Sequence, residues 1–195
     1  MTAKSGERKD QILQTLAEML ENPAGEKATT AALAARLGVS EAALYRHFKG
    51  KAEMFEGLIE FIEQALFGLI NKIGGEEKSG VRQLEAMIAV LLAFAQKNRG
   101  MTRVLIGDAL VNEDDRLQAR INQFHDRLEA ALKQALRFGV SQKEIAPDVD
   151  IAAHANLLMS FVIGRWHFFA KSGFKRDPAE LWAKQWRLLM EGVIA

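Results

Sequence analysis

Apolar residues recur along this chain at intervals of three and four almost from end to end, the period of helices with one packed face and one wet face. Residues 7–21 place Ile12, Leu16, Met19 and Leu20 on one face, and Asn22-Pro23-Ala24-Gly25 ends the run. A short second helix is expected after Thr29 or Thr30, either of which can cap it, stopping at Gly38, and Ser40 caps a third. After Lys49-Gly50 a long helix is predicted over 51–73, carrying Phe55, Leu58, Ile59, Ile62, Leu66 and Leu69 and closed by Gly74-Gly75. Segment 80–98 is the next, separated by Asn98-Arg99-Gly100 from a shorter helix over 101–111. Between 114 and 138, Leu117, Ile121, Phe124, Leu128 and Leu132 form the apolar stripe of an amphipathic helix, with Glu113-Asp114-Asp115 at its start. No segment reads as a strand.

The last two helices break the one-face rule. Residues 149–171, started by Pro147-Asp148, are apolar on nearly every side through Ile151, Leu157, Leu158, Phe161, Val162, Ile163, Trp166, Phe168 and Phe169. Ala152, Asn156, Ser160 and Gly164 fall four apart on a ridge of small or short side chains that lets another helix approach closely. The final helix, 178–193, adds Trp182, Trp186, Leu189 and Val193. This is more apolar surface than one small core buries, so a homodimer pairing these helices into a four-helix bundle is expected, against a helix central to a monomeric bundle.

Composition narrows the class. The chain has 195 residues, 49% hydrophobic and 26% charged, with three prolines and one tyrosine, which suits an all-helical globular protein. Zero cysteines exclude disulfides, thiolate metal sites and cysteine nucleophiles. No apolar run approaches the roughly 20 residues of a membrane span, and MTAKSGERKD lacks a secretory apolar stretch, so a cytoplasmic location with no membrane partner is expected. The formal charge of +1 neither favours nor excludes nucleic acid.

The most specific spacing lies between Thr29 and Lys51. Two helices crossing steeply around a short turn need a small residue at the crossing, a residue tolerant of positive φ, and apolar locks; Ala34, Gly38, Val39 and Leu44 supply them. In a helix-turn-helix the second helix enters the major groove. Here that helix is 40–48, with Ser40, Glu41, Ala42, Tyr45, Arg46 and His47 outward and Ala43, Leu44 and Phe48 inward. On geometry alone a plain structural corner is an equal alternative.

The stretch TTAALAARLGVSEAALYRHFKGKAEMF resembles the DNA-binding domain of the TetR family of bacterial regulators. VSEAALYRHF, LIEFIE, MTRVL and DRLQARINQ are similar, more narrowly, to the nucleoid-occlusion division inhibitors within that family. Beyond Arg137 the likeness is mostly helix pattern with SGFKRDP. The resemblance implies a TetR-like all-α fold: a three-helix helix-turn-helix domain over 1–50 and a helical regulatory, partner-binding and dimerisation domain over 51–195. It implies a nucleoid-associated homodimer on near-palindromic double-stranded DNA. Thr29, Thr30, Tyr45, His47 and Lys51 are the expected phosphate or base-edge contacts, whereas Arg46 could pair with an acid and Glu41 could be ordinary helix-start chemistry. A simple N-cap for either threonine and a solvated lysine are the plainer alternatives.

The same resemblance implies a partner, the disordered C-terminal tail of the tubulin-like division protein FtsZ, in a groove between the fourth and fifth helices. Phe61 and Asn98 match positions there, Val90 is apolar as expected, and Lys97 stands where an arginine is expected, keeping charge but losing a bidentate fork. Leu69 also replaces a basic residue. For Phe61, ordinary core is the competing reading.

No catalytic residue, metal site or cofactor is expected. His47, His125, His154 and His167 lack metal-protease spacing. His125-Asp126 reads as a solvated pair, and His154 and His167 as packed or hydrogen-bonded. Three classes stay open: a DNA-bound inhibitor of FtsZ assembly, a conventional TetR-type repressor released by a small-molecule effector, and an unrelated helical interaction protein. Met87, Leu91, Phe94, Phe124, Phe161 and Trp166 could line an effector cavity, but a filled core is favoured.

Overall fold

The computed structural model describes residues 2–21 and 28–195, so the Asn22-Pro23-Ala24-Gly25 break lies outside the described residues. Its helices are α1 (Thr2–Glu21), α2 (Thr30–Arg36), α3 (Glu41–Tyr45), α4 (Lys51–Glu76), α5 (Gly80–Lys97), α6 (Arg99–Leu105), α7 (Asp115–Ser141), α8 (Ile151–Lys171) and α9 (Trp182–Leu189). The chain packs as two compact units. One comprises Met1–Ile62 and Asn98–Ile121, the other Glu63–Lys97 and Asn122–Ala195. α4 thus contributes to both units.

In the first unit Ile12, Leu16, Met19 and Leu20 are all buried, the face read from the sequence. α1 and α6 approach so closely that a Cβ at Gly100 would collide with the Ala17 carbonyl. Arg103 of α6 donates to the Leu20 carbonyl at 3.0 Å, satisfying an acceptor that the end of α1 leaves open. Its guanidinium also pairs with Asp108 at 2.5 Å.

The second unit packs around Trp166 and Phe124 and has a hollow of about 290 Å³ lined by Ile70, Gly74, Gln83, Met87, Ala131 and Phe138. Trp166 has no exposure, and its indole N–H donates to the Leu91 carbonyl at 3.0 Å. Phe124 meets Phe67 edge-on at 5.7 Å. Met87 and Leu91 are buried, whereas Phe94 and Phe161 are half-buried. The His125 ring, read as solvated, is half-buried instead, 6.0 Å from Phe124 and 6.2 Å from Trp166. His154 is buried with Nε2 3.4 Å from the Met190 sulfur, and burial pushes its pKa below the usual 6.5. His167, expected to be packed, is exposed because it falls on the outer side of α8.

Several boundaries differ from expectation for identifiable reasons. α4 continues through Gly74 and Gly75, because the turn is built just beyond them: the Glu77 carboxylate accepts from the amides of Lys78 and Ser79 at 2.8 and 3.1 Å. Gln83 further secures it by donating to the Gly74 and Glu77 carbonyls. Gly100 lies within α6, which ends early at Leu105, where Gly107 at φ +76° turns the chain into a 3-10 turn at Asp108–Leu110. Asp150, not the Pro147-Asp148 pair, caps α8 by accepting from the amides of Ala152 and Ala153 at 3.0 Å. α9 is shorter than predicted because the Arg165 guanidinium holds the carbonyls of Asp177, Pro178 and Glu180 at 2.6, 2.9 and 3.2 Å in a turn. Leu181 then enters α9 at φ +66°.

Candidate nucleic-acid interface

α2 and α3 form the expected corner. The Thr29 hydroxyl accepts from the Ala32 amide at 3.1 Å, so Thr29 rather than Thr30 is the cap. Gly38 turns the chain at φ +66°, Val39 donates to the Ala34 carbonyl at 3.0 Å, and Leu44 is buried beneath the crossing. Ser40 caps α3 through the Ala43 amide at 3.3 Å. Regular helix lasts only from Glu41 to Tyr45, with Arg46, His47 and Phe48 continuing in a turn, so the entering element is shorter than the predicted 40–48.

The outward face is largely as read. Ser40, Glu41, Ala42, Tyr45 and Arg46 are exposed, His47 is half-buried, and Phe48 is buried. Hydrogen bonds draw two of these residues, Glu41 and Tyr45, together with Thr30 across the two helices. Thr30 donates to the Glu41 carboxylate at 2.7 Å, and the Tyr45 hydroxyl donates to Thr30 at 3.5 Å. Glu41 is thus engaged with its own chain, while Tyr45 stays 47% exposed. Lys51, expected to reach a phosphate or stand in solvent, makes an ion pair with Glu113 and lies 5.6 Å from the Phe55 ring centre. Lys9, not singled out from the sequence, places its ammonium 5.5 Å from the Phe48 ring.

Phe61 is 41% exposed and therefore not ordinary core. It lines a hollow of about 210 Å³ with Asn98, Asp10, Leu13, Gln14 and Met101. The α1 contributors were missed because the sequence reading used only the apolar face of that helix, and Asp10, Leu13 and Gln14 lie beside it at intervals of three and one. In the other unit Val90 is half-buried on α5, Lys97 is exposed at its end, and Leu69 of α4 is exposed.

On α8 the ridge is open. Ala152, Asn156 and Ser160 are exposed, and a Cβ at Gly164 meets nothing within 4 Å. The same four-residue row continues to Phe168, 56% exposed, beside Leu157 at 51%. On α9 Trp186 is buried against Trp182, their rings 5.5 Å apart, and Leu189 is half-buried, so Leu188 is the large apolar residue that this helix exposes. Asn156 is anchored to Glu129 at 3.1 Å, and Lys133 with Asn156 holds that carboxyl below its usual pKa.

Residues 12–58 match the family described as bacterial regulatory proteins, tetR family, and residues 78–193 match the tetracyclin repressor-like C-terminal domain of SlmA-like type. The chain is 47% identical over 195 residues to the nucleoid occlusion factor SlmA of Idiomarina loihiensis, covering all of both chains. It belongs to the SlmA family of TetR-type regulators. The SlmA of Alteromonas mediterranea is 50% identical over 183 residues, 94% of each chain. A TetR transcription regulator from Haloarcula marismortui shares the fold with a TM-score of 0.81 at 16% identity, covering 97% of this chain and all of that one. Among the described residues of this SlmA-family chain, no helix is long and apolar enough to cross a membrane, and no cluster of acidic and histidine side chains could hold a metal ion.

Proposed function

We propose that this chain is a homodimeric, nucleoid-associated nucleoid-occlusion factor of the cytoplasm that binds chromosomal DNA sites and FtsZ and inhibits Z-ring assembly over the nucleoid. The observation that carries the reading is the 47% identity over the full length of both chains to a protein named for that role. The geometry supports it. α3 presents Tyr45 outward while the Thr30–Glu41 bond fixes the corner beneath it, so the ring meets a groove or backbone with little ordering left to do. Tyr45, Thr30, His47, Arg46 and Lys51 would supply phosphate and base-edge contacts, with half-sites about 34 Å or a multiple apart on the two-fold axis.

The hollow beside Phe61 is the proposed seat of an apolar anchor from the FtsZ tail, with Asn98 as a donor to its backbone. Lys97, exposed at the end of α5, is proposed by itself as a countercharge for the tail. Asp10 at the rim adds a rule: a basic or hydroxyl-bearing tail residue fits beside it better than a carboxylate does. The dimer would form along the open α8 row and Leu188 of α9. Light scattering of FtsZ polymerisation, with this protein added in the presence and absence of its DNA site, tests the whole reading. Inhibition strengthened by the DNA site supports it. Polymerisation unaffected in both conditions defeats it and leaves a conventional effector-released repressor as the assignment.

A further inference from the structure

Among the described residues, Glu113 is the acid that pairs with Lys51, the lysine that opens α4. The pair spans a long stretch of sequence, from Lys51 to the loop ahead of α7, and both side chains are partly exposed, 34% for the lysine and 20% for the glutamate. Glu113 is not at the end of a loose loop. Its amide donates to the Leu110 carbonyl at 3.0 Å, and Leu110 is buried. Immediately after it, Asp114 accepts two bonds from the Arg116 guanidinium at 2.8 and 3.0 Å and one from the Arg116 amide at 3.0 Å, which fixes the start of α7. Gly107 at φ +76° and Asn112 at φ +67° set the loop between them. The carboxylate is thus held beside Lys51 by the structure on either side of it.

We propose that Glu113 is an intramolecular competitor of DNA phosphate for Lys51, a residue that lowers affinity for duplex by occupying the lysine before DNA arrives. The inference rests on the DNA-binding reading and deepens it. A phosphate that approaches Lys51 must displace a carboxylate of the same charge, and that carboxylate then stays nearby as an uncompensated repulsion. The lysine consequently contributes less to counterion release than an unpaired one would. Because phosphate contacts carry no base information, the effect falls on specific and random duplex alike.

The test is a double-mutant cycle with Glu113→Gln, Lys51→Ala and the combined variant, reading duplex affinity against salt. Glu113→Gln is expected to tighten binding about two- to fivefold, the range of an exposed ion pair, and to steepen the salt dependence by about one charge. In the Lys51→Ala background the same change should tighten binding less, because only the direct repulsion between carboxylate and phosphate is then removed. Equal tightening in both backgrounds overturns the proposal in favour of general repulsion, and weaker binding by Glu113→Gln overturns it in favour of a pair that merely braces α4. Glu113→Ala, with its melting temperature recorded, repeats the reading independently of the amide. If the unmutated protein shows no salt-dependent duplex binding, the DNA reading itself fails, a different outcome from binding that Glu113→Gln leaves unchanged.

Discussion

Gly164→Leu separates the inside of a subunit from its interface. A Cβ at Gly164 meets no atom of the chain within 4 Å, so the new side chain projects into open space. Within the helix the exchange is favourable by about 1 kcal/mol, since glycine is the poorer helix former. In a packed contact between subunits, an extra side chain costs about 1–3 kcal/mol, and a two-fold axis inserts it twice, for a total of about 2–6 kcal/mol. At roughly 1.4 kcal/mol for each factor of ten, the dimer Kd rises by roughly 30-fold to 10⁴-fold. Sedimentation equilibrium across a dilution series measures this, with helix content followed by circular dichroism at each concentration. An unchanged Kd with native helix content would refute the argument that the Ala152, Asn156, Ser160 and Gly164 row carries the dimer.

Gly100→Ala should destabilise the first unit by at least about 3 kcal/mol, because backbone cannot yield as a side-chain tip does; a melting temperature within two degrees of the unmutated protein would contradict the close α1–α6 approach. Tyr45→Ala and Lys51→Ala should weaken duplex binding about three- to tenfold, with Lys51→Ala flattening the salt dependence, and binding unchanged in both would show that the DNA face is misplaced. His154 is held neutral by burial, so the unfolded chain takes up its proton first as pH falls through 6.5. Stability is therefore full above that value and declines below it, and the drop in melting temperature on acidification should shrink in His154→Gln.

What the sequence made legible was periodic or spaced. The buried face of α1, the Ala34–Gly38–Leu44 corner and the Ser40 cap follow from local chemistry and appear as read. What it hid was set by distant residues. Nothing near Pro178 announces that Arg165 holds three carbonyls there and delays α9. Gly74-Gly75 carries a stop signal, but Glu77 and Gln83 place the turn beyond it. The Lys51–Glu113 pair and the α1 side of the Phe61 hollow join segments far apart in the chain, so spacing alone could not show them. Trp186 shares the apolar pattern of a docking face, yet packing within its own unit uses it.

The central claim is that one protein holds DNA and the FtsZ tail at once. Titration of a fluorescent FtsZ tail peptide into the DNA-bound protein, followed by anisotropy, tests it most directly. The account predicts saturable binding of modest affinity, since a disordered peptide loses entropy on docking. It also predicts loss of that binding in Lys97→Glu, with duplex affinity unchanged. No saturable binding by the unmutated protein on its DNA would contradict the account.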